Sequence, residues 1–100
     1  ANGEAMVMRR RIAFNGMVVV ALNGKGRPNV AGIGLPLDED YAAFVEEAEN
    51  DVVAALGKLK GTARVDPAEV SEAARLAARR AAQRWSGKKP QVQVMLLDGD

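Results

Sequence analysis

The chain lacks cysteine and histidine altogether, and it has only one tryptophan, one tyrosine and two phenylalanines. Without cysteine there are no disulfides and no thiolate metal sites. Without histidine the commonest metal ligand and the commonest general base are missing, which excludes most zinc and triad chemistry. No apolar run approaches the roughly 20 residues that span a bilayer, and no signal-peptide segment begins the chain.

Charge is nearly balanced, with 14 basic and 13 acidic residues among 100 and a net charge of +1. The whole molecule therefore offers no strong field for nucleic acid or for a membrane. The length predicts one domain with a modest core. Residues 1–8 show no periodicity and are predicted to be a connector or frayed segment, followed by a single α+β domain over 9–100. Because the first residue is Ala1 rather than Met, we expect the chain to be part of a longer protein.

The most informative segment is the apolar run Met17–Leu22, which follows Asn15-Gly16. A strand points alternate side chains to opposite faces, so an unbroken apolar run requires cover on both of them. Helices on one side of a sheet cover only one face. The run therefore predicts a central strand whose second face contacts another protein surface.

The turn formers of Asn23–Pro28 predict a hairpin loop that leads into a second strand over Asn29–Leu35. In that strand a larger set alternates with a smaller set that contains two glycines. We expect the larger set, Ala31, Ile33 and Leu35, to face the core. The smaller set, Val30, Gly32 and Gly34, is then predicted to leave the other face flat.

Two helices and a final strand follow. The acidic residues of Asp38–Asp40 favour a helix start there, and Gly61 is predicted to end that helix. Asp66-Pro67 combines an N-cap with proline at the first helical position, and Gly87 is placed to end the second helix. The alternating segment Gln91–Leu97 predicts the last strand.

The predicted architecture is α+β, in the order β-β-α-α-β, with two antiparallel helices on one face of a three-stranded mixed sheet. The first strand is the most apolar and is placed in the centre, which gives the strand order β2-β1-β3. The face without helices is the candidate interface, and its predicted residues are Met17, Val19, Val30, Gly32, Gly34, Met95 and Leu97.

Candidate chemistry is sparse. The glycines around Lys25 lack a phosphate-loop pattern and lead into a strand, and Asp38–Asp40 lacks the spacing of a calcium loop. No converging catalytic set is visible, so a free-standing small-molecule enzyme is the least favoured of three hypotheses. The basic residues leave RNA contact open, and its candidates are Arg9, Arg10, Lys88 and Lys89, although no aromatic residues alternate with them.

Three segments together resemble the C-terminal domain of ribonuclease J. Residues 9–22 run from three arginines through Asn15-Gly16 into a Val-rich strand, as at the start of that domain. Residues 33–36 look like its second strand and exit. Residues 85–90 are similar to its ending, where a basic pair and Pro90 introduce the last strand. The resemblance covers residues 9–97.

The resemblance implies an accessory domain of a metallo-β-lactamase/β-CASP RNA hydrolase, a 5′-to-3′ exonuclease and endonuclease of the bacterial cytoplasm. In that family the catalytic residues and the zinc or other divalent metal belong to N-terminal domains, so no catalytic residue, metal ligand or cofactor is expected in this chain. The implied partners are those catalytic domains, a second copy in a homodimer and RNA through the parent, with no membrane. The alternative is a module that positions RNA through its basic residues.

Overall fold

The structure is a computed structural model that describes residues 15–24 and 27–97. Its helices and strands are β1 (Met17–Asn23), β2 (Asn29–Ile33), α1 (Tyr41–Gly57), α2 (Pro67–Ser86) and β3 (Gln91–Leu97). Short 3-10 turns over Asp38–Asp40 and Gly61–Val65 precede the two helices. The predicted α+β class and the order β-β-α-α-β are confirmed.

The three strands form one mixed sheet in the order β2-β1-β3. β1 is antiparallel to β2, with Met17 opposite Ile33, and it is parallel to β3, with Met17 beside Gln91. The predicted strand order and directions are therefore confirmed. Among the strands of the described residues, only β1 has sheet neighbours on both sides, which gives its apolar run the central place.

The ends of α2 follow from local capping groups. The Asp66 side chain accepts a hydrogen bond from the Ala68 N–H at 3.0 Å, and Pro67 occupies the first turn, where its missing N–H costs no bond. At the other end Gly87 adopts φ 71° and donates its N–H to the Gln83 carbonyl at 2.9 Å. Glycine adopts this left-handed conformation without a steric penalty, so α2 ends as predicted.

The end of α1 differs from the prediction. The helix ends at Gly57, and Gly61 instead begins a 3-10 turn with φ 63°. The Leu59 N–H donates to the Leu56 carbonyl at 3.2 Å, a three-residue spacing that tightens the chain directly after the helix. The expected glycine stop was wrong because the helix tightens into this 3-10 spacing before it reaches Gly61.

The core lies between the sheet and the two helices. Its fully buried large side chains are Phe44, Val18, Val20 and Val52. The α2 contribution is made of alanines, namely Ala74, Ala77, Ala78, Ala81 and Ala82. Side chains this small allow the helix backbone to approach the sheet and α1 closely.

The orientation of β2 is the reverse of the prediction. Val30 is 7% exposed and lies opposite Val20, which is fully buried, so it belongs to the core. Ile33 is 54% exposed and lies opposite Met17, on the face without helices. The alternation within β2 was correct, but Ala31 and Ile33 face outward. The strand ends at Ile33 rather than at Leu35, and Leu35 packs against the core as predicted.

The physical reason for this orientation of β2 is the close packing of other side chains against Gly32. A Cβ atom at this position would lie 2.8 Å from Leu35 Cδ1, 3.3 Å from Phe44 Cε2 and 3.5 Å from Tyr41 Cε1. The glycine side of β2 is therefore flat because aromatic rings of α1 pack on it. The prediction equates a flat strand surface with an exposed one, whereas this flat surface makes room for Phe44.

Candidate functional site

The sheet side turned away from the helices is an uncharged, largely apolar surface, which we call the open face. It comprises Met17, Val19, Ala21, Asn23, Asn29, Ala31, Ile33, Gln91, Gln93, Met95 and Leu97. The strand alternation places these residues opposite the buried set of Val18, Val20 and Leu22. Large apolar side chains on this face are substantially exposed, at 54% for Ile33 and 48% for Met95.

Strand register arranges the open face into rows. Ile33, Met17 and Gln91 form one row, and Ala21 lies beside Met95 further along the sheet. The apolar side chains therefore run obliquely from the start of β1 toward the end of β3, with the glutamines at one corner. None of these described positions holds an ionisable group, so the surface suits contact with another apolar surface rather than proton transfer.

The predicted interface residues divide into two groups. Four of them, Met17, Val19, Met95 and Leu97, lie on the open face. The other three do not: Val30 and Gly32 lie under α1, and Gly34 follows β2 in a bend with φ 70°. Whether the four form an interface stays a prediction.

Sequence reasoning missed Ala21, Ala31 and Ile33 on this face. The register of the hairpin would identify the β2 residues on this face, because residues directly opposite one another on antiparallel strands point to the same side. Once Met17 is placed on the open face, the observed pairing with Ile33 places Ile33 there also. The predicted turn Asn23–Pro28 does not by itself determine that register, so the prediction for β2 depends on side-chain size alone.

The two edges of the sheet differ in protection. Along β2 the Val30 N–H donates to Glu49 Oε2 at 3.1 Å, and the Gly32 N–H donates to the Tyr41 hydroxyl at 2.9 Å. Both acceptors belong to α1, so this helix occupies the outer edge of β2. No residue in the described part of the chain forms an equivalent bond along the outer edge of β3.

An ionic network joins the two helices on their outer side. Arg84 of α2 donates to Glu47 at 3.0 Å and also to Asp51, both on α1. The Trp85 indole N–H donates to the same Glu47 carboxylate at 2.7 Å. The indole and the guanidinium hold the pKa of Glu47 below its usual value, the indole bond being the larger cause. Trp85 packs against the core, and its polar partner is on α1.

The basic residues near the end of α2 are only partly available. Arg84 is neutralised by α1, whereas Arg79 and Arg80 form no ion pair within the described part of the chain. Lys89 is exposed and Lys88 is half-buried, with its backbone N–H donating to Ser86 Oγ at 3.1 Å. The other two RNA-contact candidates, Arg9 and Arg10, lie outside the described residues.

The cavities offer little catalytic chemistry. One of about 470 Å³ lies at the end of the sheet, and Arg64 is the only charged residue among its described lining residues, which are mainly apolar, such as Val53, Leu56 and Leu96. A second, of about 510 Å³, lies on the outside of the helix pair, and its one carboxylate, Asp51, is bonded to Arg84.

Within residues 15–24 and 27–97, no group of three or more acidic side chains is arranged to hold a metal ion. Across the same residues, neither helix has the length and hydropathy to cross a bilayer.

The family model of the ribonuclease J C-terminal domain matches residues 4–99. The chain belongs to this family. No curated protein matches it. The ribonuclease J C-terminal domain assignment confirms the resemblance read from residues 9–97, and it implies a ribonuclease as the parent of this accessory domain. The match includes part of the predicted connector, and the boundary at residue 9 stays a prediction.

Proposed function

We propose that this chain is a non-catalytic accessory domain that supports the dimerisation and activity of a ribonuclease J-type enzyme. Membership of the family indicates that the parent protein is a ribonuclease J-type enzyme. The open face is the observation that supports a docking role for this domain. An uncharged surface with Ile33 and Met95 about half exposed is unusual on a free monomer and is typical of an interface.

In this proposal the parent carries the chemistry. Its N-terminal domains hold zinc or another divalent metal and degrade RNA in the cytoplasm, as a 5′-to-3′ exonuclease and as an endonuclease. The accessory domain contacts those catalytic domains and a second copy, and it meets RNA through the parent. The chain itself supplies no cofactor site.

The decisive experiment places charge on the open face of the parent enzyme. Ile33→Asp combined with Met95→Asp puts two carboxylates on apolar positions that are already exposed, so folding of the domain is little affected. Val65→Asp is the matched control, because Val65 is 80% exposed on the 3-10 turn, away from this face. We expect the double variant to lower both the dimer fraction in sedimentation and the rate of RNA hydrolysis.

The outcomes separate the parts of the proposal. If the double variant hydrolyses RNA and sediments like the control, the open face has no docking role. If activity falls while the mass is unchanged, the open face contacts the catalytic domains rather than a second copy.

RNA positioning is the second candidate, and the charge distribution of α2 supports it. Between residues 79 and 89 the chain has five basic residues and no acidic one. Clustered cations bind phosphates without reading the bases. We expect charge reversal at Lys88 and Lys89, together with Arg9 and Arg10, to weaken RNA binding and flatten its salt dependence.

The control for that experiment is reversal of Arg75, which is paired with Glu72 on α2 and does not belong to the cluster. Fluorescence anisotropy with a short single-stranded RNA measures the affinity. An affinity unchanged by reversal of the cluster contradicts the RNA-binding candidate.

A further inference from the structure

The outer edge of β3 has an unusual composition for a strand edge. Edge strands commonly carry charge or proline, which prevent pairing with another strand, yet Gln91–Leu97 contains neither. Its last three residues, Met95, Leu96 and Leu97, are 48%, 46% and 47% exposed. Successive side chains point to opposite faces, so Leu96 lies on the helix side and its neighbours on the open face. A partner surface that covers all three of these side chains must therefore lie alongside the outer edge of β3.

The opposite edge of the sheet determines which arrangement of copies is available. The outward N–H groups of Val30 and Gly32 are already bonded to Glu49 and Tyr41. The β2 edge of another copy therefore offers a β3 strand neither of these N–H donors, which disfavours head-to-tail growth of the sheet. The remaining pairing joins β3 to β3, which is isologous and closes at two copies.

We propose that a second copy of this chain pairs its β3 antiparallel to the first, giving one continuous six-stranded sheet. This inference rests on the dimerisation in the proposed function and names the contact. The register that pairs all seven residues is centred on Val94, which lies opposite its own copy. It places Gln93 opposite Met95, and Gln91 opposite Leu97, on the open face.

The helix side of the same pairing is apolar as well. Val92 lies opposite Leu96 of the second copy, so the half-exposed Leu96 gains a neighbour on the side where its own sheet leaves it uncovered. Because β3 has no ionisable side chain, the two-fold axis brings no like charges together. The two open faces become one continuous surface, still available to the parent enzyme.

A single cysteine at the two-fold axis tests the contact, since the chain has no cysteine of its own. Directly opposite residues of antiparallel strands have Cα atoms about 4.5–5.5 Å apart, within the range that a disulfide bridges. We expect Val94→Cys to form a covalent dimer with oxidised glutathione. Val65→Cys, on a residue of the 3-10 turn before α2 that is 80% exposed and does not belong to β3, is expected to stay monomeric at the same concentration.

A charge on the edge gives a second measurement that needs no oxidation. Gln93→Lys places an ammonium group at an exposed position beside the axis, and its like-charged copy lies close by, so we expect the dimer dissociation constant to rise by about tenfold. Gln83→Lys, also exposed but on α2, is the matched control. Trp85 fluorescence verifies that each variant is folded.

The results distinguish this inference from the proposed function. A dimer that neither crosslinks through Val94→Cys nor weakens with Gln93→Lys overturns the β3 contact and leaves dimerisation standing. A chain that stays monomeric across the accessible concentration range overturns both. Crosslinking through Val94→Cys together with a weaker dimer in Gln93→Lys supports pairing with a second copy. Amide exchange in β3 that slows only when another protein is present assigns the edge to a different partner and overturns the inference.

Discussion

Glu47 shows at the scale of single residues how the two helices are held together. Its carboxylate accepts bonds from Trp85 and Arg84, which keep its pKa below the usual value. A carboxyl group with a lowered folded-state pKa adds stability above its unfolded pKa of about 4.3, and that stability is lost as the pH falls through the folded pKa. The contribution of Glu47 should therefore depend on pH.

We expect Glu47→Gln to lower the free energy of unfolding by about 0.5–1 kcal/mol at pH 7, a small effect because the site is open to solvent. At pH 3 the difference should shrink. Urea unfolding followed by the fluorescence of Trp85, the only tryptophan, measures it. Glu46→Gln is the control, on the neighbouring exposed residue. An equal loss at both pH values contradicts the role of the charge.

Gly32 is the second residue-scale feature, because its missing side chain makes room for α1. An added Cβ would meet Leu35 Cδ1 at 2.8 Å and Phe44 Cε2 at 3.3 Å. We expect Gly32→Ala to destabilise the domain by about 1–2 kcal/mol through overpacking. Gly24→Ala is the control, since no atom of the described residues lies within 4 Å of its added Cβ. Urea midpoints compare the two, and equal midpoints would contradict the packing argument.

At the scale of elements, α1 protects the edge of β2. The Tyr41 hydroxyl accepts the Gly32 N–H and Glu49 accepts the Val30 N–H. We expect Tyr41→Phe to speed amide exchange at Gly32 by about five- to tenfold, since one hydrogen bond contributes about 1 kcal/mol. Exchange at Val30 is the internal control. Unchanged exchange at Gly32 would mean that the hydroxyl does not protect this edge.

Element boundaries show where local sequence is sufficient. The start of α2 depends on Asp66 and Pro67, and its end depends on Gly87, so each cap is formed by residues within one turn of the helix. These positions were predicted correctly. The end of α1 was not, because the chain tightened at Leu59 before reaching the expected glycine.

At the scale of the whole molecule, acidic and basic residues are concentrated in different parts of the chain, although the net charge is only +1. Between residues 38 and 51 there are seven acidic side chains and no basic one, whereas between 79 and 89 the charges are all basic. The antiparallel helices bring the two regions together, so part of the basic charge is neutralised internally through Arg84. The open face and β3 carry none of this charge.

This separation predicts how salt distinguishes the two candidate functions. Pairing through the uncharged β3 should change by no more than about twofold between about 50 and 500 mM salt, because screening acts only on charges. Single-stranded RNA held by about three phosphate contacts should bind about a hundredfold more weakly over the same range. Sedimentation and anisotropy on one preparation compare them, and self-association that falls as steeply as RNA binding would contradict the uncharged contact.

The sequence by itself determined the types and order of the secondary structure, both caps of α2 and the central place of Met17–Leu22. These depend on periodicity and on groups that are close along the chain. The tertiary structure decided the orientation of β2, the protection of its edge by Tyr41 and Glu49, and the pairing of Arg84 with α1. Each of these depends on side chains nine or more residues apart competing for one space or one donor. The residues of β1 on the open face were predictable because they depend on periodicity along the chain. The residues that β2 contributes to the open face were not.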